Sequence, residues 1–119
     1  APYRDTEKTY EETVRLLDLE KPPTCILYPD DFAAFGGINA IRERGLRIPE
    51  DVSVVGYDGI RLARHIEPTL TTLCQDTKLL GQKAGEKLIS LIEHPKTTLI
   101  EQIIVEGHVF EGNSVADIN

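Results

Sequence analysis

Along the chain, stretches with apolar residues at helical spacing alternate with short runs that are apolar almost throughout. In "TEKTYEETVRLLDL", Tyr10, Val14 and Leu17 recur on one helix face, Asp5 and Thr6 supply N-cap chemistry, and Pro22-Pro23 lies beyond the end. "TCILY" reads as a short strand covered on both faces. A helix follows at once over "DFAAFGGINAIRER", with Gly45 as its C′ residue. Gly36-Gly37 inside that helix costs about 1 kcal/mol per glycine relative to alanine, which predicts a neighbouring element that approaches the backbone closely. "DVSVVGY" and "LTTLC" read as two further buried strands, introduced by Pro49 and Pro68. "TKLLGQKAGEKLISLIEH" is strongly amphipathic, with Leu80, Ala84, Leu88 and Leu91 on one face and Pro95 as its stop. "LIEQIIVEGHVF" is expected as a closing strand. Strands alternating with helices predict an α/β fold around a mostly parallel sheet flanked by helices.

At 119 residues the chain is about one domain long. Thirteen basic against twenty acidic residues give a net charge of -7, and such a surface repels a phosphate backbone. This stretch is therefore not itself expected to bind nucleic acid. Its two cysteines, Cys25 and Cys74, stand among apolar residues and are expected as buried free thiols rather than a disulfide. No apolar run approaches the roughly 20 residues that cross a bilayer, so a soluble cytoplasmic chain without a membrane partner is expected.

Parallel strands in α/β folds present ligands at their carboxyl ends. There the sequence places Asp30 and Asp31 after the first strand, Asp58 after "SVVGY" and Asp76 after "LTTLCQ". An Asp at a strand-to-helix junction is often only an N-cap, and Asp31 and Asp76 are assigned that duty. One cap needs one carboxylate, which leaves Asp30 for a ligand. Asp58, between Tyr57 and Gly59 with no long helical pattern behind it, is read the same way. Converging carboxylates accept from sugar hydroxyls or hold a hard cation such as Mg²⁺. The second option describes a phosphoacceptor receiver, but that class puts its acidic pair near the chain start and a lysine on its last strand. Here a whole helix precedes "CILYPDD", and "LIEQIIVEGHVF" has no lysine.

Histidines 65, 94 and 108 have no ligand spacing, so no metal site is expected. Ser53, Ser90 and Ser114 lack a nucleophile-elbow context, and neither a P-loop nor a dinucleotide fingerprint is present. No enzyme and no cofactor are expected.

The run from "PTCILYPDDFAAFGG" through "GLRIPEDVSVVGYD" to "PTLTTLCQDTKLLGQKAGEKLI" resembles the C-terminal half of the effector-binding core of LacI/GalR-type bacterial transcriptional repressors. The likeness extends more loosely back to "YRDTEKTYEETVRLL" and forward to about Gly107. It implies a type I core of two lobes similar to periplasmic sugar-binding proteins, with a small effector, a sugar or sugar derivative, held between them. A periplasmic-type sugar carrier has similar lobes and is the alternative. In the repressor family DNA is bound by a separate helix-turn-helix head, which the resemblance places outside this chain together with most of the first lobe.

Carried over by position, the resemblance makes Asp58 an acidic ligand to the effector and puts Asp30 where some relatives have an asparagine that contacts sugar. Arg4 stands where relatives often carry an aromatic, and a guanidinium there would stack or donate. Gln75, Asp76 and Thr77 match the segment that crosses between lobes, with Gln75 and Thr77 on the ligand side. Residues 1–76 then form the C-terminal lobe, 77–104 the helix and strand that pack on the other lobe, and 105–119 the return strand and tail. With that lobe outside the chain, the stripe from Leu80 to Leu91 is expected to repack on this chain or a second copy. Two-fold dimers are implied through the start of the second helix and residues 60–66, with Phe32, Phe35, Leu62 and Ile66 as contacts.

Overall fold

The computed structural model describes residues 4–119; residues 1–3, the head of the expected first segment, lie outside the described residues. The elements in order are α1 (Thr6–Leu17), β1 (Cys25–Leu27), α2 (Asp31–Glu43), β2 (Ser53–Asp58), a 3-10 turn at Arg61–Arg64, β3 (Thr71–Cys74), α3 (Thr77–Glu93) and β4 (His108–Phe110). The sheet order is β1-β2-β3-β4, and the first three strands run parallel, with Leu27 opposite Val55 and Asp58 opposite Cys74. This is the mostly parallel α/β arrangement that the alternation predicts. The chain divides into two compact units: one runs to Cys74 and takes in Val109–Asn119, and the other is Gln75–His108.

In the first unit, the core gathers Ile26 and Tyr28 from the β1 region, Ala33, Ala34, Ile38 and Ile41 from α2, Val54 from β2, and Leu70 before β3. Both predicted glycine contacts are present. A Cβ on Gly36 would stand 2.1 Å from the Thr6 carbonyl oxygen of α1, and one on Gly37 would stand 1.9 Å from the Tyr28 hydroxyl. Two helices can thus cross at backbone distance, and Gly45 ends α2 at a φ of 72° as a C′ glycine does.

The buried face of α1 differs from expectation. It centres on Thr9 and Thr13, while Tyr10 and Val14 are only half-buried and Leu17 packs at the edge of the core. Threonine is tolerated there because each hydroxyl is partnered: Thr9 Oγ1 donates to the Asp5 carbonyl at 2.6 Å, and Thr13 Oγ1 lies 2.8 Å from the Tyr28 hydroxyl. Burial pushes the Tyr28 phenol up to about 12, against which the Thr13 bond acts in the opposite sense.

β1 is not covered on both faces. Ile26 is buried, but Leu27 is 70% exposed and Cys25 is exposed, so only Cys74 is the buried thiol expected of both. The tail is tied across the start of the sheet: Ser114 Oγ donates to the Val54 carbonyl at 2.6 Å and accepts from Thr71 N–H at 2.9 Å. Ser53 Oγ likewise accepts from Ala116 N–H at 3.0 Å. Both serines are structural links.

In the second unit, α3 has no buried residue, and Leu80, Leu88 and Leu91 are exposed along the predicted stripe. The segment beside α3 is joined to it by Lys87, whose Nζ lies 2.5 Å from a Glu101 carboxylate oxygen and donates to the Leu99 carbonyl at 3.2 Å. The expected closing strand is much shorter than the apolar run: only His108–Phe110 is strand, and residues 99–107 are irregular. A strand exists only where a neighbour completes its ladder, and among the described residues of this run that pairing is present at His108–Phe110.

Candidate functional site: the carboxyl edge of the parallel strands

β1 and β2 run parallel in register, so the residues that follow Leu27 and Val55 emerge at one edge of the sheet. Asp30, Asp31 and Asp58 all lie there. Their division of labour is the reverse of the expected one. Asp30, not Asp31, caps α2: its carboxylate accepts from Ala33 N–H at 2.9 Å. The other Asp30 oxygen accepts from Arg4 N–H at 2.8 Å, and the side chain is fully buried. Asp30 therefore presents no open carboxylate, contrary to the expectation that it stands ready for a ligand.

Asp31 is also fully buried, and its partners are distant in sequence. One oxygen accepts from Gly59 N–H and Ile60 N–H, each at 2.9 Å. The second accepts from the Thr72 hydroxyl at 2.7 Å. The acidic pair is thus a double clamp. Asp30 holds the segment before α1 onto α2, while Asp31 holds the loop after β2 and the middle of β3. A hard cation would have to displace these donors from the same oxygens, so the pair is unlike an open acidic metal cradle.

The two clamped segments share a backbone feature. Arg4 has φ 59° and Asp58 has φ 110°, both in the left-handed range that residues with a Cβ rarely adopt. Such conformations cost about 1–3 kcal/mol and persist where surrounding bonds over-determine them. Here the over-determination is visible: the Arg4 amide itself is bound by Asp30, and the two amides after Asp58 are bound by Asp31. Asp58 is half-buried and Arg4 exposed, so the tied segments bring an acid and a cation to this edge. The Arg4 guanidinium lies over the Phe32 ring, 5.5 Å from its centroid.

The sequence reading missed Asp31 as the central tie. One signal was present: Gly56 sits inside a strand, where glycine weakens packing and marks a close approach. A Cβ at Gly56 would stand 2.2 Å from an Asp31 carboxylate oxygen, so the glycine makes room for the buried charge. Gly59 is similarly required, with φ 75° and the Cys74 side chain 2.4 Å from where its Cβ would be.

In the second unit, Gln75 is the first residue, Thr77 opens α3 and Asp76 is its N-cap, accepting from Leu79 N–H at 3.0 Å, as assigned. Of the four residues named for pairing, Phe35 and Ile66 pack against the core as partly buried residues. Leu62 is 49% exposed. Phe32 is half-buried and meets Phe35 edge to face, with centroids 5.9 Å apart.

With this geometry established, comparison with known proteins is specific. The model of the periplasmic binding protein-like domain matches residues 1–115. The chain is 39% identical over 93 residues to the "Probable HTH-type transcriptional repressor ExuR" of Bacillus subtilis, covering 78% of this chain and 28% of that protein. With the HTH-type transcriptional repressor PurR of Proteus mirabilis, identity is 38% over 113 residues, covering 95% of this chain and 33% of that one. This chain therefore spans about a third or less of these curated relatives.

Among solved structures, a LacI family transcriptional regulator from Enterococcus faecium with bound ribose superposes with a TM-score of 0.88 at 31% identity. That match covers 97% of this chain and 42% of the regulator. The lac repressor dimer bound to operator and the anti-inducer ONPF superposes at a TM-score of 0.84 and 29% identity, covering 95% and 39%. The chain belongs to the periplasmic binding protein-like domain family, in the form that LacI/GalR-type transcriptional regulators carry.

Proposed function

We propose that this chain is the effector-sensing part of a cytoplasmic transcriptional regulator, and that a small polyhydroxylated effector, a sugar or sugar derivative, binds at the carboxyl edge of β1–β3. The observation that carries this reading is Asp58, held at φ 110° at the end of β2 by two amides clamped on Asp31. A carboxylate only accepts, and sugar hydroxyls donate to its two oxygens in charge-assisted bonds that also set orientation. Arg4 is the second contact on this edge. Asp30 acts through Arg4, because its own oxygens are enclosed.

The role is one of binding, without catalysis. An effector that binds one arrangement of the regulator better than another shifts the population toward it, and only that difference in affinity does so. DNA contact belongs to a separate head, in keeping with a chain whose net charge is -7. Pairing with a second copy uses the exposed Leu62 and the half-buried Phe32, beside Phe35 and Ile66. The sugar-bound relative from Enterococcus faecium supports the effector class.

The test is thermal-shift screening of the full-length regulator against pentoses, hexoses, disaccharides and purines. At least one sugar is expected to raise the melting temperature in a saturable manner. A purine binding while every sugar fails would overturn the effector class.

A further inference from the structure

Arg4 is the residue at this edge whose chemistry a neutral sugar does not use fully. It sits just ahead of α1, in a left-handed conformation that side chains rarely adopt, and a fully buried carboxylate holds its amide. A strained backbone fixed by a buried charge is not what a merely solvated surface arginine needs. The guanidinium is placed in turn, over the Phe32 ring at the first turn of α2. An arginine on an aromatic face engages the ring through its plane, while its in-plane N–H donors have the fork geometry that matches a carboxylate or phosphate. The chain as a whole is strongly acidic, so a cation held next to the Asp58 edge works against the prevailing field.

Resting on the sugar-sensing reading above, we propose that Arg4 selects an effector that carries an anionic group as well as hydroxyls, an acidic or phosphorylated sugar rather than a neutral one. Asp58 accepts from the hydroxyls, and its negative charge repels a misplaced anion. Arg4 receives the carboxylate or phosphate. Opposite charges on the two residues give the ligand one orientation and discriminate against neutral sugars at the Arg4 end.

Isothermal calorimetry on the full-length regulator separates the cases, using glucuronate, galacturonate and glucose 6-phosphate against glucose, galactose and ribose. The result expected is that one anionic sugar binds about 10- to 100-fold more tightly than its neutral counterpart, the range of one charge-assisted pair. That ratio should fall with added salt and collapse toward one in Arg4→Gln, with Arg4→Lys retaining part of it. Preference for the uronates assigns the anion as a carboxylate, and preference for glucose 6-phosphate assigns it as a phosphate. Neutral sugars binding as well as anionic ones, or an unchanged ratio in Arg4→Gln, would overturn the inference and leave the sugar-sensing reading standing. Failure of every sugar, neutral and anionic, would overturn both.

Discussion

The Asp31 carboxylate accepts the Gly59 backbone N–H at 2.9 Å, so a buried charge at the start of α2 fixes the residue that follows Asp58 at the end of β2. The bond spans 28 positions in sequence, and the same carboxylate reaches a further strand through Thr72. Removing it leaves three donors without their partner in a buried setting. Asp31→Ala is therefore expected to destabilise the protein by roughly 3–5 kcal/mol, with Asp31→Asn intermediate, as measured by urea unfolding. A loss below about 1 kcal/mol would show that the clamp is incidental.

At Asp58 stability and function oppose one another. The φ of 110° is strained for aspartate and open to glycine, so Asp58→Gly is expected to preserve or raise stability by up to about 1 kcal/mol while effector binding is lost. Paired melting curves and binding isotherms check this. Retained binding in Asp58→Gly would remove the residue from the site.

Glycines of the two long helices are expected to respond with opposite sign. Gly36→Ala pushes a Cβ against the Thr6 backbone, and α1 and α2 must move apart, at a cost of about 2 kcal/mol or more. Around Gly81 of α3 nothing among the described residues stands within 4 Å of a new Cβ, so Gly81→Ala is expected to stabilise that helix by up to about 1 kcal/mol. Far-ultraviolet circular dichroism during thermal unfolding distinguishes the two.

Tyr28 gives the fold an alkaline limit. Its phenol is held up to about 12 from the ordinary 10, chiefly by burial, so the folded state keeps a proton that the unfolded state has already lost in that interval. The stabilisation is complete below about pH 10 and declines as pH rises toward 12. Absorbance titration of phenolate should show a late component that disappears in Tyr28→Phe. The same variant leaves Thr13 without its partner and is expected to lose about 1 kcal/mol at neutral pH.

What the sequence disclosed followed from local chemistry. The alternation of periods gave the α/β order, Asp5 and Asp76 gave two helix starts, Gly45 gave a helix end, and Gly36-Gly37 gave a close crossing. What it withheld depends on partners far along the chain. Whether Asp30 or Asp31 caps α2 turns on one residue's backbone angles, and the donors that bury Asp31 come from 28, 29 and 41 positions away. The run at 99–107 is apolar enough for a strand, yet apolarity does not say whether a neighbouring strand stands beside it. Thr9 and Thr13 do not stand out as core in the sequence, because their burial depends on bonds to Asp5 and Tyr28 that a hydrophobic pattern does not register.

On the proposed reading, Asp58, set by Asp31 at the carboxyl edge of the sheet, receives the hydroxyls of a sugar-class effector. Calorimetric titration of full-length wild type and Asp58→Asn with the tightest-binding sugar tests it most directly. An affinity loss of about 10-fold or more is expected in Asp58→Asn, with the melting temperature of the unliganded protein nearly unchanged. Equal affinity in the two proteins would contradict it.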